Sequence, residues 1–216
     1  MPAAKLLPAS RPLPLLPLHA PGMRIGLLGG TFNPPHAGHL LLTLTALRRL
    51  GLDRVWWLVT PGNPLKNNAG LPSLPDRLAL ARSLARHPRI DVTGVEAAIG
   101  KRYTVDTLAY LRARCPGVRF VWLMGADNLA GFHHWRHWRR IAELMPLAVI
   151  DRPGATLRAT RSVAATALGR RRLREVEAPH LADALPPAWA FIHGPRSSLS
   201  STALRAAAAA RRGQEA

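Results

Sequence analysis

The 216-residue chain carries 30 Lys and Arg against 12 Asp and Glu, a formal net charge of +18, with a single cysteine. Its length suits one domain with a substantial core, and Cys115 alone excludes an internal disulfide and a thiolate-rich metal site, as suits a reducing cytosol. The charge favours anionic partners, nucleotides as well as nucleic acid, although a general arginine bias would produce the same balance without a function.

Residues 1–22 are apolar but broken by Pro2, Pro8, Pro12, Pro14, Pro17 and Pro21. These prolines preclude a continuous helix and the uninterrupted apolar centre of a signal peptide. No stretch approaches the roughly 20 apolar residues of a transmembrane helix. The expectation is a disordered Pro-rich extension over 1–22 and one domain over 23–216, in the cytoplasm. Met23 is an alternative start, which N-terminal sequencing of the native protein would refute by finding residues before it.

A short apolar run at 24–28 predicts a strand, and helical spacing at 40–50 predicts a helix after it. Between them lies Gly29-Gly30-Thr31-Phe32-Asn33-Pro34-Pro35-His36-Ala37-Gly38-His39. The paired glycines read as a turn that brings backbone N–H groups close to an anion, with two histidines three apart on one face of the helix start. Further strands are predicted at 55–60, 90–93, 118–124, 147–150 and 189–192. Helices are predicted at 76–86, at 104–114 with Thr104 as N-cap, and at 200–212. Residues 155–188, rich in Arg, Ala and Pro, show no readable pattern, and no internal repeat is present. This alternation predicts an α/β fold, a Rossmann-like doubly wound, mostly parallel sheet flanked by helices, with ligands bound beyond the carboxyl ends of its strands.

The segments just after those strands offer phosphate and ribose ligands: His36 and His39, then Lys66, Asp127, and Ser200-Ser201-Thr202 with Arg205. Imidazole N–H groups, an ammonium and a guanidinium together neutralise a triphosphate, and Ser201 and Arg205, four apart, share one helix face. Each feature alone has a structural explanation. A single histidine in a helix is more often structural, and Ser-Ser-Thr before an alanine run is more often an N-cap. His133 and His137 have helical zinc-ligand spacing, but His134 and Trp135 follow His133 where a zinc protease motif needs glutamate.

GGTFNPPHAGH resembles the signature of the nucleotidyltransferase superfamily with an H-x-G-H motif, and LSSTALR at 199–205 resembles its second signature, I-S-S-T-x-x-R. YTVDTL at 103–108, MGADNLAGFHHWRHWRRI at 124–141 and DRPG at 151–154 resemble the nicotinate-nucleotide adenylyltransferase branch. The likeness runs from about residue 23 to 205 in consistent order.

The resemblance implies transfer of AMP from ATP to nicotinate mononucleotide, giving deamido-NAD and pyrophosphate, with Mg2+ bridging the ATP phosphates. It implies that His36 and His39 contact those phosphates, His39 at the reacting centre. Gly29, Gly30, Thr31 and Phe32 then pass under the nucleotide. Asp127 accepts from ribose hydroxyls, Ser201, Thr202 and Arg205 hold phosphates, and Lys66 assists. For the acceptor it implies Trp135 stacked on the pyridine ring, with backbone N–H groups near Thr104 and after Trp135, at Arg136, for the carboxylate; Trp138 packs in the core. Asn33 stands where aspartate is common, and Arg102 where serine often precedes the Tyr-Thr pair. The family usually continues past its final helix with P-x-V-x-x-Y-I, here replaced by Arg-Arg-Gly-Gln-Glu-Ala, which leaves a homo-oligomer open. The same chemistry on nicotinamide mononucleotide is the nearest alternative. A basic nucleic-acid-binding module is a distant one, without helix-turn-helix, zinc-finger or RNA-binding aromatic signatures, so no stable nucleic-acid or membrane partner is expected.

Overall fold

The computed structural model describes residues 14–65, 68–194, 199 and 201–214. In chain order the elements are β1 (Arg24–Gly30), α1 (Ala37–Arg49), β2 (Arg54–Val59), α2 (Leu74–Leu84), β3 (Ile90–Thr93), α3 (Val95–Ala98), α4 (Thr104–Arg114), β4 (Arg119–Gly125), α5 (Ala126–Gly131), α6 (Trp138–Leu144), β5 (Leu147–Ile150), α7 (Thr156–Thr160), α8 (Val163–Ala167), β6 (Arg172–Leu173), β7 (Trp189–Ile192) and α9 (Ser201–Gln214). The strands form one sheet in the order β3-β2-β1-β4-β5-β7-β6, every pairing parallel. The predicted α/β, doubly wound architecture is therefore the one the chain adopts.

Burial on both faces explains why the strand sequences RVWWLV and RFVWLMG are nearly continuous apolar runs. Successive side chains alternate between two cores. Ile25, Leu27, Trp56, Trp122 and Val149 pack on one face with residues of α4, α6 and α8. Leu28, Trp57, Val121, Leu123 and Ile150 pack on the other with α1 and the 3-10 segment Glu175–Asp183. The stretch 155–188, unreadable as sequence, folds as α7, α8, the short edge strand β6 and two 3-10 segments. None exceeds nine residues, so no window is long enough to display a period.

Two boundaries differ from expectation. Residues 14–22, expected to lie outside the domain, rest on it: Leu16 packs against the first core, and the His19 ring meets Trp56 edge-on at 5.9 Å. The Gly22 N–H donates to the Gly117 carbonyl at 2.8 Å. Prolines bar a helix but not an extended path across an apolar surface. At α4 the N-cap is Tyr103, and Thr104 is the first helical residue.

One buried charge ties the sheet to its loops. Arg77 of α2 is 1% exposed, and its guanidinium donates to the carbonyls of Pro72 (3.0 Å), Thr31 (2.9 Å), Thr60 (2.6 Å) and Pro61 (3.1 Å). Burial lowers its pKa from the ordinary arginine value, and the four carbonyl dipoles replace the water it has lost. The loops leaving β1 and β2 are thereby clamped together. Arg77→Met, close in volume, strands those carbonyls and is expected to cost about 3 kcal/mol of stability. Urea denaturation measures this, and a loss below about 1 kcal/mol would contradict the clamp.

Candidate active site

In the sheet order, β1 is where the chain reverses: β2 and β3 are added on one side, β4 and β5 on the other. The carboxyl ends of β1 and β4 therefore diverge into a crevice, the place where doubly wound sheets bind ligands. A cavity of about 570 Å³ opens there.

The glycines do not make the turn expected of them. Gly29 and Gly30 stay in β1, paired with Leu58 and Val59 of β2. A Cβ on Gly29 would run into the Trp122 indole of β4, so glycine is needed for close approach of two strands. The bend comes later, at Phe32, whose φ is +48°. A bulky residue at positive φ costs of order 1–3 kcal/mol. The buried Phe32 ring stacks on Trp57 at 4.9 Å and touches the His39 ring at 4.8 Å, contacts that oppose this cost.

His36 is the N-cap of α1. Its backbone N–H donates to His39 Nδ1 at 3.2 Å, so the neutral His39 ring carries its proton on Nε2. The two rings lie 3.8 Å apart. Beneath them the His39 carbonyl accepts from Thr43 Oγ1 at 2.8 Å, and Thr43 Oγ1 accepts from Trp57 Nε1 at 2.8 Å. Burial, with the nearby Arg152 cation, pushes the His36 pKa from 6.5 down to about 4. Burial, then His36 and Arg152, push His39 from 6.5 to about 3. Both rings are neutral hydrogen-bond donors at neutral pH. His36 Nδ1 and Trp122 Nε1 are buried without a protein partner among the described residues, and both residues line the cavity.

Across from the histidines, Asp127 lies in the first turn of α5 and pairs with Arg152 at 3.5 Å, just beyond β5. Arg152 is absent from the residues expected from sequence; its only signals are the DRPG string and a position directly after a strand. Gly38 gives both cationic and imidazole groups their room. A Cβ there would stand 2.9 Å from His36 Nδ1 and 3.0 Å from Arg152 Nη2. From the other chain end, Ser201 Oγ donates to the Pro34 carbonyl at 2.9 Å. Arg205 donates to the Asn33 carbonyl and, at 3.3 Å, to Thr202 Oγ1. The start of α9 is thus docked on the loop after β1, across more than 160 residues of sequence.

The cavity continues past Thr104, Trp135 and Arg136. Trp135 is half-buried, edge-on to Phe132 at 5.4 Å and Trp122 at 6.1 Å, whereas Trp138 is buried in the core. The Arg136 guanidinium lies 4.4 Å over the Tyr103 ring. Glu96 is buried in this wall, tied to the Thr60 and Thr107 side chains, and burial raises its pKa above the ordinary carboxylate value. Spacing could not reveal Glu96, because its neighbours come from the residue just after β2 and from α4. Gly29, Gly30, Thr31, Phe32, His36, His39, Thr104, Asp127, Trp135, Arg136, Ser201, Thr202 and Arg205 all line this one cavity. Lys66 and Ser200 lie outside the described residues.

The family described as cytidylyltransferase-like matches residues 27–207. A probable nicotinate-nucleotide adenylyltransferase of Methylorubrum extorquens is 62% identical over 183 residues, 85% of this chain and 99% of the relative. One from Brucella suis is 59% identical, again over 85% of this chain and 94% of the relative. Among solved structures, a Plasmodium falciparum nicotinic acid mononucleotide adenylyltransferase complexed with NaAD superposes with a TM-score of 0.63 at 16% identity, covering 85% of this chain and 83% of that one. At that identity the likeness is one of fold.

The histidine pair makes stability pH-dependent. Both folded pKa values, about 4 and about 3, lie below the 6.5 of an unperturbed imidazole. The unfolded chain therefore binds more protons below pH 6.5, and stability falls as pH drops from there towards the folded values. Urea unfolding at pH 7.5 and 4.5 is expected to show this loss, and a His36→Asn/His39→Asn double variant is expected to lose less over the same interval. Equal losses in the two proteins would contradict the assignment.

Proposed function

The chain belongs to the cytidylyltransferase-like family, among its nicotinate-nucleotide adenylyltransferases, and we propose that it transfers AMP from ATP to nicotinate mononucleotide. The products are deamido-NAD and pyrophosphate, in NAD biosynthesis in the cytoplasm. The observation that carries the reading is the convergence, at the β1/β4 crevice, of paired neutral imidazoles, Arg152, Asp127 and the α9 start with an aromatic wall at Trp135.

The acceptor's phosphate oxygen forms a bond to the α-phosphorus of ATP as the bond from that phosphorus to the bridging oxygen breaks, and pyrophosphate departs with the electron pair. Because a phosphate monoester has a second pKa of about 6, the nucleophile is already mostly dianionic at neutral pH and needs no general base. Catalysis then rests on alignment and on donors placed where charge develops. His39, with its proton on Nε2 and its backbone braced by Thr43 and Trp57, donates at the reacting phosphate. His36 and Arg152 stand beside it, while Ser201, Thr202 and Arg205, with Lys66 from the second loop, hold the remaining phosphates. Asp127, held by Arg152 at 3.5 Å, accepts from ribose hydroxyls.

Mg2+ enters with ATP as the metal–nucleotide substrate. The donor set fits that role better than a resident metal. Of the carboxylates on the cavity wall, Asp127 is paired with Arg152 and Glu96 is bound to two threonines, so most ligands come from the triphosphate and water. Trp135 offers the pyridine ring an aromatic surface, and the first turn of α4 at Thr104 with the backbone at Arg136 offers donors to its carboxylate.

Pyrophosphate release from ATP is expected with nicotinate mononucleotide and at a lower specificity constant with nicotinamide mononucleotide; no release with either would overturn the reading. His39→Ala is expected to lower turnover by at least about a hundredfold, with a smaller effect on KM. Near-normal turnover in that variant would remove His39 from the reacting centre.

A further inference from the structure

The cavity wall carries two guanidinium groups, those of Arg102 and Arg136, to which the transfer chemistry above gives no role. Arg102 precedes the α4 N-cap Tyr103 and lines the cavity as an exposed side chain. The ring of the next residue, Tyr103, carries the Arg136 guanidinium at 4.4 Å from its centroid, and Arg136 also lines the cavity. Neither arginine has an ion-pair partner among the described residues, whereas Arg152, at the phosphate end, is engaged by Asp127. The nearest wall carboxyl in sequence, Glu96, is buried and bonded to Thr60 and Thr107, and burial disfavours its charged form, so it offers these cations little compensation. Such a concentration of unpaired guanidinium in a cavity wall fits a ligand whose own end is anionic.

We propose that Arg102, next to the Tyr103–Arg136 stack, is the residue by which this chain favours an acceptor bearing a ring carboxylate over the corresponding carboxamide. This rests on the pyridine-mononucleotide reading above. A carboxylate brings a full negative charge to this wall, and a guanidinium makes charge-assisted, bidentate bonds to it. A carboxamide offers only a neutral carbonyl acceptor, and its NH2 group can only donate, which a guanidinium cannot accept. The acceptor's phosphate is common to both molecules, so a residue that served only the phosphate would treat them alike. Arg102 is exposed before ligand binding, so its contribution is partly screened and amounts to about tenfold rather than several thousandfold.

The test compares wild type with Arg102→Ala, using nicotinate and nicotinamide mononucleotides at saturating ATP. Acceptor binding is read independently from Trp135-dependent fluorescence without ATP. Because Arg102 is exposed and has no ion-pair partner among the described residues, the variant is expected to fold, with an unchanged urea midpoint. The expected result is a rise of about tenfold in KM and in Kd for the acid, at little cost to kcat, and a much smaller change for the amide. Parallel rises for both acceptors would place Arg102 on the shared phosphate and overturn the proposal, as would an unchanged acid-to-amide ratio. An inactive wild type with both mononucleotides would instead sink the reaction assignment. An active wild type with an unaltered ratio in Arg102→Ala sinks this proposal alone.

Discussion

Everything at the site depends on how closely β1 and β4 approach at the point where the sheet reverses direction. Without a Cβ at Gly29, the Trp122 indole can lie against the β1 backbone, and the two strand ends can deliver Phe32 and Asp127 to opposite lips of one crevice. A methyl group there would have to displace the indole or the strand. Parallel strands give this arrangement its sense, because every strand ends at the same edge and every following loop faces the same cavity.

Buried polar groups keep that edge rigid. Arg77, without a carboxylate partner among the described residues, is compensated by four carbonyls, that of Thr31 at the start of the loop after β1 and those of Thr60, Pro61 and Pro72 in the loop between β2 and α2. The histidines are treated oppositely to the arginine: they are buried so that they stay neutral. A charged imidazole pair 3.8 Å apart would repel itself and the neighbouring Arg152. Neutral rings keep directional N–H donors in a wall that already has ample positive charge, and they do so over the whole neutral pH range.

Much of this is legible in the residues. Apolar runs bounded by turns mark the principal strands to within two residues. The order His36, His39, Asp127, Ser201, Arg205 along the chain already contains groups that the fold brings to one cavity. The departures have a common cause. Gly29 and Gly30 read as a turn because glycine permits one, but the need for glycine comes from Trp122, more than 90 positions away. Thr104 reads as an N-cap from its type, whereas the backbone caps the helix one residue earlier. Residues 14–22 look like an unstructured leader because proline forbids helix, but an extended chain can still cover Trp56.

The sequence by itself determined the alternation of buried strands and helices and the chemical character of each post-strand loop, because both follow from local period and residue type. Only the tertiary structure decided which of those groups meet. Arg152 beside His36, Glu96 between Thr60 and Thr107, and α9 docked on the Asn33–Pro34 loop are all contacts between segments far apart in the chain. Only the tertiary structure decided protonation as well. The low pKa values come mainly from burial, then from the Arg152 cation at His36 and from His36 and Arg152 at His39, none of which is a property of the chain until it has folded.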